Sequence, residues 1–246
     1  MQPGHARLVR DLQQRLRSVA DPRTKAWFEN YLKHVISYRG VKTPVVARIV
    51  DEWRSAHELQ NLPDGDQLRL ADRLIREGHA EDKFAGTLYI QKHLLRLVDE
   101  ATLLTTAEEL FADRVFFDWS TTDWFSVRVL GPLIVRGGQV VAERIAGWRT
   151  APDLWQRRSS IVPFRAVVRD GEYHPLIEET IGMLVTERAR FIQTGVGWVI
   201  SDLSRVHPGV ASALVERHFD DLSAEVIRRH TKYLADHAGY KKRKRG

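Results

Sequence analysis

The chain has 246 residues, 43% of them hydrophobic, and no cysteine. That is enough for one large or two small domains with a sizeable core, and it excludes disulfides and thiolate metal sites, as expected in a reducing, cytoplasmic setting. The formal net charge is +6, but the final KKRKRG holds five positive charges on Lys241, Lys242, Arg243, Lys244 and Arg245. Subtracting those five leaves the rest of the chain at about +1, so a nucleic-acid surface on the body has to be local rather than a product of overall charge.

From the N-terminus, MQPGHARLVRDLQQRLRS alternates charged and apolar residues and lacks the hydrophobic stretch of a secretory signal. Residues 1–20 read as a helix packed on the edge of the fold. Helix starts follow at Asp21-Pro22, Thr43-Pro44, Ala151-Pro152 and His207-Pro208, where proline suits a first helical turn. Stops are expected at Gly40, Gly65, Gly78, Gly137-Gly138 and Gly171. Between these marks, apolar residues recur at helical spacing, and alternation of the strand type is scarce. The expectation is an all-α chain of about a dozen helices joined by short connections, stacked pair on pair as an α-solenoid. No linker divides it, so a single domain is expected over 1–238, with 239–246 a disordered basic tail serving as a solubilising segment or a nucleic-acid arm. No apolar run approaches the roughly 20 residues of a membrane helix, so a soluble, cytosolic protein with no membrane partner is expected.

The common catalytic signatures GxxxxGK[ST], GxGxxG, HExxH and GxSxG are missing, and the ten histidines form no metal-like cluster. No metal or cofactor is expected. Three stretches stand out. FFDWSTTDWF places Trp119 and Asp123 one helical turn apart, on one face of a helix. LWQRRSSI carries Trp155, Arg157 and Arg158, and QTGVGWVISDL carries Trp198. On composition alone each has an ordinary explanation: core packing for the tryptophans, solvated charge for the arginines, a helix cap or a partner of Arg128 for Asp123.

The segment YLKHVISYRGVKTPVVARIVDEW, Tyr31 to Trp53, resembles the opening helix pair of the AlkD-type DNA alkylation repair glycosylases. EDKFAGTLYI, WSTTDW, LWQRRSSI and FIQTGVGWVISDLSRVHP follow in that family's order and resemble, in turn, its acidic-aromatic helix, its tryptophan-aspartate segment, its arginine helix and its I-Q-K-A-I-G-W helix. Together they cover roughly residues 21–235. The resemblance implies a stack of HEAT-like antiparallel helix pairs with a concave DNA-binding face, and removal of positively charged alkylated purines such as 3-methyladenine and 7-methylguanine. It implies Asp123 as the catalytic carboxylate, Trp119 and Trp198 as aromatic walls around the lesion's sugar, Arg158 as a phosphate contact, and Arg157 as a further backbone contact. The sequence departs from the family at Thr122, where an apolar residue is usual, and at Ser120, which replaces a common acid.

The implied chemistry suits these residue types. A cationic purine is already a good leaving group, so one carboxylate can suffice: it stabilises positive charge developing on the deoxyribose and orients water. Aromatic faces attract the cation, and arginine holds the neighbouring phosphates. The expected partner is double-stranded DNA containing alkylated bases, bound by a monomer. A helical-repeat module that binds nucleic acid without catalysis, through Arg157, Arg158, Arg165 and the tail, and a protein-binding scaffold are the competing readings.

Overall fold

The structure is a computed structural model that describes residues 3–244. The fold is all-α. Among the described residues there are fourteen α-helices and no strand; an isolated parallel bridge joins Ser37 and His79. The chain divides into two compact units between Val129 and Leu130, where the sequence offered no boundary.

The first unit holds α1 (Pro3–Ser18), α2 (Pro22–Tyr31), α3 (Thr43–Ala56), α4 (Asp64–Ile75), α5 (Ala80–Tyr89), α6 (Glu100–Ala112) and α7 (Trp119–Phe125). Helix α1 buries Val9, Leu12 and Leu16, one stripe at helical spacing, and packs on α3 and α4 as an edge helix. Every residue of α5 is buried, because α3, α4 and α7 all pack on it. Gly86 permits this: a Cβ there would lie 2.5 Å from the Ala71 carbonyl oxygen and 2.6 Å from Ile75 Cγ1.

The second unit holds α8 (Gly131–Gly147), α9 (Leu154–Ser159), α10 (His174–Leu184), α11 (Arg190–Val206), α12 (Pro208–Arg217), α13 (Ala224–His230) and α14 (His237–Arg243). Helix α11 is its centre, packed against α9, α10, α12, α13 and the turn Val162–Ala166.

Prolines 22, 44 and 208 do sit in first helical turns. Pro152 does not: Asp153 caps α9 instead, its carboxylate accepting the N–H groups of Trp155 and Gln156. Gly137-Gly138 does not end a helix either. Helix α8 runs on to Gly147, with a local break at Gly138, whose φ of 64° and ψ of −151° glycine alone adopts readily. The run Trp119–Thr150 also corrects the reading that no stretch is apolar enough for a membrane, since it contains an 18-residue window of mean hydropathy 1.2. Half of that window is buried inside the protein. The tail, expected to be disordered from 239, is helical through Arg243, and two of its cations have partners. Arg243 pairs with Glu216 at 2.9 Å and lies 3.9 Å from the Phe219 ring centre, and Lys244 donates to the Phe219 carbonyl at 2.8 Å. Residues 245 and 246 lie outside the described residues.

Candidate functional site

In the first unit, α7 places the residues of WSTTDW. Its cap is Asp118, which accepts the N–H groups of Ser120 and Thr121 and the Thr121 hydroxyl, so Asp123 is not the cap. Burial holds the Asp118 carboxyl above the usual carboxylate range. Trp119 starts the helix, half-buried, and Asp123 follows one turn later with 5% of its surface exposed. Thr122 is fully buried, and its hydroxyl donates to the Asp118 carbonyl at 2.6 Å, so the polar replacement of an apolar residue leaves no orphan group. Ser120 lies 3.4 Å from the Tyr38 hydroxyl, and the Arg128 guanidinium lies 4.6 Å over Trp124.

Beside Trp119 runs a row of rings that sequence reasoning did not assign to the site. Tyr31 meets Trp119 edge-on at 5.2 Å, and Trp27 stacks on Tyr31 at 5.3 Å with the planes 14° apart. Trp27 is 60% exposed and Tyr31 55%, so this face is open. The available signal was their spacing: residues 27 and 31 share one face of α2, as Trp119 and Asp123 share one face of α7.

Helix α5 fixes the segment beneath these rings. Glu81, fully buried, accepts the backbone N–H groups of Arg39, Gly40 and Val41 at 2.8 to 3.0 Å. Asp82 pairs with the Arg39 guanidinium at 2.5 Å, and burial pushes its carboxyl up to about 6. Lys83 donates to the carbonyls of Ile75 and Val115, and burial lowers its ammonium to about 8. The segment so held presents Tyr38, stacked on Phe28 at 4.8 Å. The acidic-aromatic motif is therefore a scaffold for the α2–α3 connection.

In the second unit, Arg157 is spent internally: it donates to both oxygens of Glu187 and to the carbonyls of Ala151 and Pro152. That occupies the fork expected to meet DNA. Arg158 is 2% exposed; it donates to the Phe191 carbonyl and to Thr194 Oγ1, and lies 5.6 Å from the Trp198 ring centre. The two glycines of TGVGW permit close packing: a Cβ at Gly195 would come 3.2 Å from Arg158 Nη1, and one at Gly197 would come 2.6 Å from His230 Cδ2. Burial pushes His230 down to about 4, against a smaller upward pull from Glu225. Trp198 itself is half-buried. On its ring lies Arg165, 4.5 Å from the centre and bound to Asp202 at 2.6 Å. Among the described residues no group of three or more His, Cys, Asp or Glu could hold a metal ion.

Fold and site together define an all-α helical-repeat protein with a sheltered carboxylate beside open aromatic faces. The sequence model of the family described as DNA alkylation repair enzyme matches residues 12–234, and the chain belongs to that family. A solved structure described as a predicted DNA alkylation repair enzyme from Enterococcus faecalis is similar in fold, with a TM-score of 0.75 at 18% identity, covering 88% of this chain and 97% of that one. A comparison with curated proteins finds no match.

Proposed function

We propose that the protein is a DNA glycosylase that excises positively charged alkylated purines, 3-methyladenine and 7-methylguanine, from duplex DNA by hydrolysing the N-glycosidic bond, without a base-flipping pocket. The observation that carries this reading is Asp123: a nearly buried carboxylate on α7, one turn from Trp119, whose ring adjoins the exposed Tyr31 and Trp27. A carboxylate so sheltered acts through a lower effective dielectric than one in water, so it stabilises charge developing on the deoxyribose more strongly. Trp119 offers a cation-receptive face, worth about 0.5 to 2 kcal/mol. In the second unit, Trp198 offers an aromatic face of its own. Arg158 packs 5.6 Å from the centre of that ring, and Arg157 is held by Glu187. The reaction so written needs no metal and no cofactor, and it takes place on a monomer.

The test is release of 3-methyladenine and 7-methylguanine from methylated duplex DNA, with Asp123→Asn beside the wild type. Excision is expected to fall about 10²-fold or more in the variant while DNA binding persists. Salt-sensitive binding with no base released by the wild type sinks the glycosylase reading and leaves a noncatalytic DNA binder.

A further inference from the structure

Among the described residues Trp27 is the most exposed aromatic side chain, 60% open to solvent, and the chemistry proposed for Asp123 and Trp119 gives it no task. An indole on an exposed helix face ordinarily moves among several rotamers. This one is fixed: Tyr31 stacks on it at 5.3 Å with the planes 14° apart, and Phe28 meets it edge-on at 4.9 Å. The row continues inward, with Tyr31 edge-on to Trp119 at 5.2 Å, one turn before Asp123.

Elsewhere two tryptophans already carry the protein's own cations. Arg128 lies 4.6 Å over Trp124, and Arg165 and Arg158 lie 4.5 and 5.6 Å from the Trp198 ring centre. Among the described residues no cation lies over Trp27, Tyr31 or Trp119. Arg23, one turn before Trp27 on the same side of α2, is exposed and leaves the indole uncovered. A rigid, open ring face beside a carboxylate suits a planar cation, because the quadrupole attracts its charge and little side-chain freedom is lost on binding. An alkylated purine is such a cation, and like indole it is two fused rings. The purine is joined to its deoxyribose by a single bond, so a sugar beside Trp119 and Asp123 leaves its base along the row of rings.

We propose that Trp27, backed by Tyr31, is a specificity-determining residue whose open face receives the displaced alkylpurine while the attached deoxyribose stands at Trp119 and Asp123. The inference rests on the glycosylase reading and deepens it, since charge is then read on the base as well as on the sugar. An open shelf holds the base without enclosing it, so no flipping pocket is needed.

The test titrates the full chain with three duplexes that differ at one position. The first carries 7-methylguanine on a 2′-fluorinated deoxyribose, which resists hydrolysis; the second carries the neutral isostere 7-methyl-7-deazaguanine; the third carries guanine. The wild type is expected to prefer the cationic duplex to its neutral isostere. Trp27→Leu, which keeps an apolar side chain but removes the ring, is expected to cut that preference on the order of tenfold, and Trp27→Phe to retain part of it. Binding of the guanine duplex and the melting temperature should not move in either variant. An undiminished preference in Trp27→Leu overturns the proposal, and so does an equal loss on all three duplexes, which would mean that Trp27 touches DNA without reading the base. Base release from methylated duplex by the wild type separates the two readings. Release with an undiminished preference in Trp27→Leu keeps the glycosylase and removes the shelf, whereas a preference that depends on Trp27 without any release removes the glycosylase and keeps recognition of the cationic base.

Discussion

Glu81 is a buried carboxylate whose partners are backbone N–H groups, and so its neutral isostere cannot replace it. Glutamine keeps one acceptor oxygen and turns an NH₂ toward donors that cannot accept it. Glu81→Gln is expected to cost about 3 kcal/mol, read as a lower urea midpoint, because hydrogen bonds to a buried charged group each contribute about 1.5 to 3 kcal/mol. Freed from Glu81, the segment carrying Tyr38 loses its register against Ser120, so excision should slow as well. His230 makes a second residue-scale case. Its folded pKa of about 4 lies below the ordinary histidine value of 6.5, so between these limits the unfolded chain binds more protons. Stability therefore rises with pH across that window and is lost as pH falls from 6.5 toward 4. In thermal melts over this range the wild type should show that slope, and His230→Gln should flatten it; an equally steep slope in the variant would mean that other groups govern acid unfolding.

At the scale of elements, the close approach of helices depends on glycines that no local rule marks. Gly197→Ala sets a methyl against the base of the His230 side chain, and a histidine held by its own helix has little room to retreat. A loss of about 1 to 3 kcal/mol is expected, with partial recovery in the Gly197→Ala, His230→Ala double variant, as a double-mutant cycle of chemical unfolding would show. Gly86→Ala meets backbone of α4 rather than a side-chain tip, so it should cost more and find no such rescue. These elements also mark what the sequence could and could not convey. Helical periodicity made the all-α fold, the edge helix at the N-terminus and the starts at Pro22, Pro44 and Pro208 legible, and the WSTTDW spacing placed Trp119 and Asp123 on one face. Whether a polar side chain is spent inside the fold was not legible. Arg157 looks as free as Arg165 in one dimension, yet Glu187, 30 residues on, takes its fork. Likewise Gly137-Gly138 reads as a stop, because a dipeptide cannot report that packing carries the helix across the break. The open row of Trp27 and Tyr31 escaped for the same reason: exposure is a property of neighbours distant in sequence.

For the whole molecule, net charge is the natural handle on nucleic acid, and the five cations at the C-terminus dominate it. They do not act alike. Arg243 lies on Phe219 and pairs with Glu216, and Lys244 satisfies the carbonyls of Phe219 and Asp220 beyond the end of α12, whereas Lys241 and Lys242 have no such duties in the contacts described above. A tail that served only as a mobile cationic arm could be removed with no effect on folding. This one could not: deleting 241–246 removes the Arg243 pair with Glu216, the two cations over Phe219 and the two hydrogen bonds that Lys244 donates. The melting temperature of the deletion is therefore expected to fall by a few degrees. Neutralising Lys241 and Lys242 with glutamine should leave the melting temperature unchanged and weaken duplex binding at low salt, where surface charge acts furthest. Thermal melts and binding isotherms on the two variants separate the roles. A deletion that melts like the wild type would show that the tail is not docked, and its charge would then be the only thing it contributes.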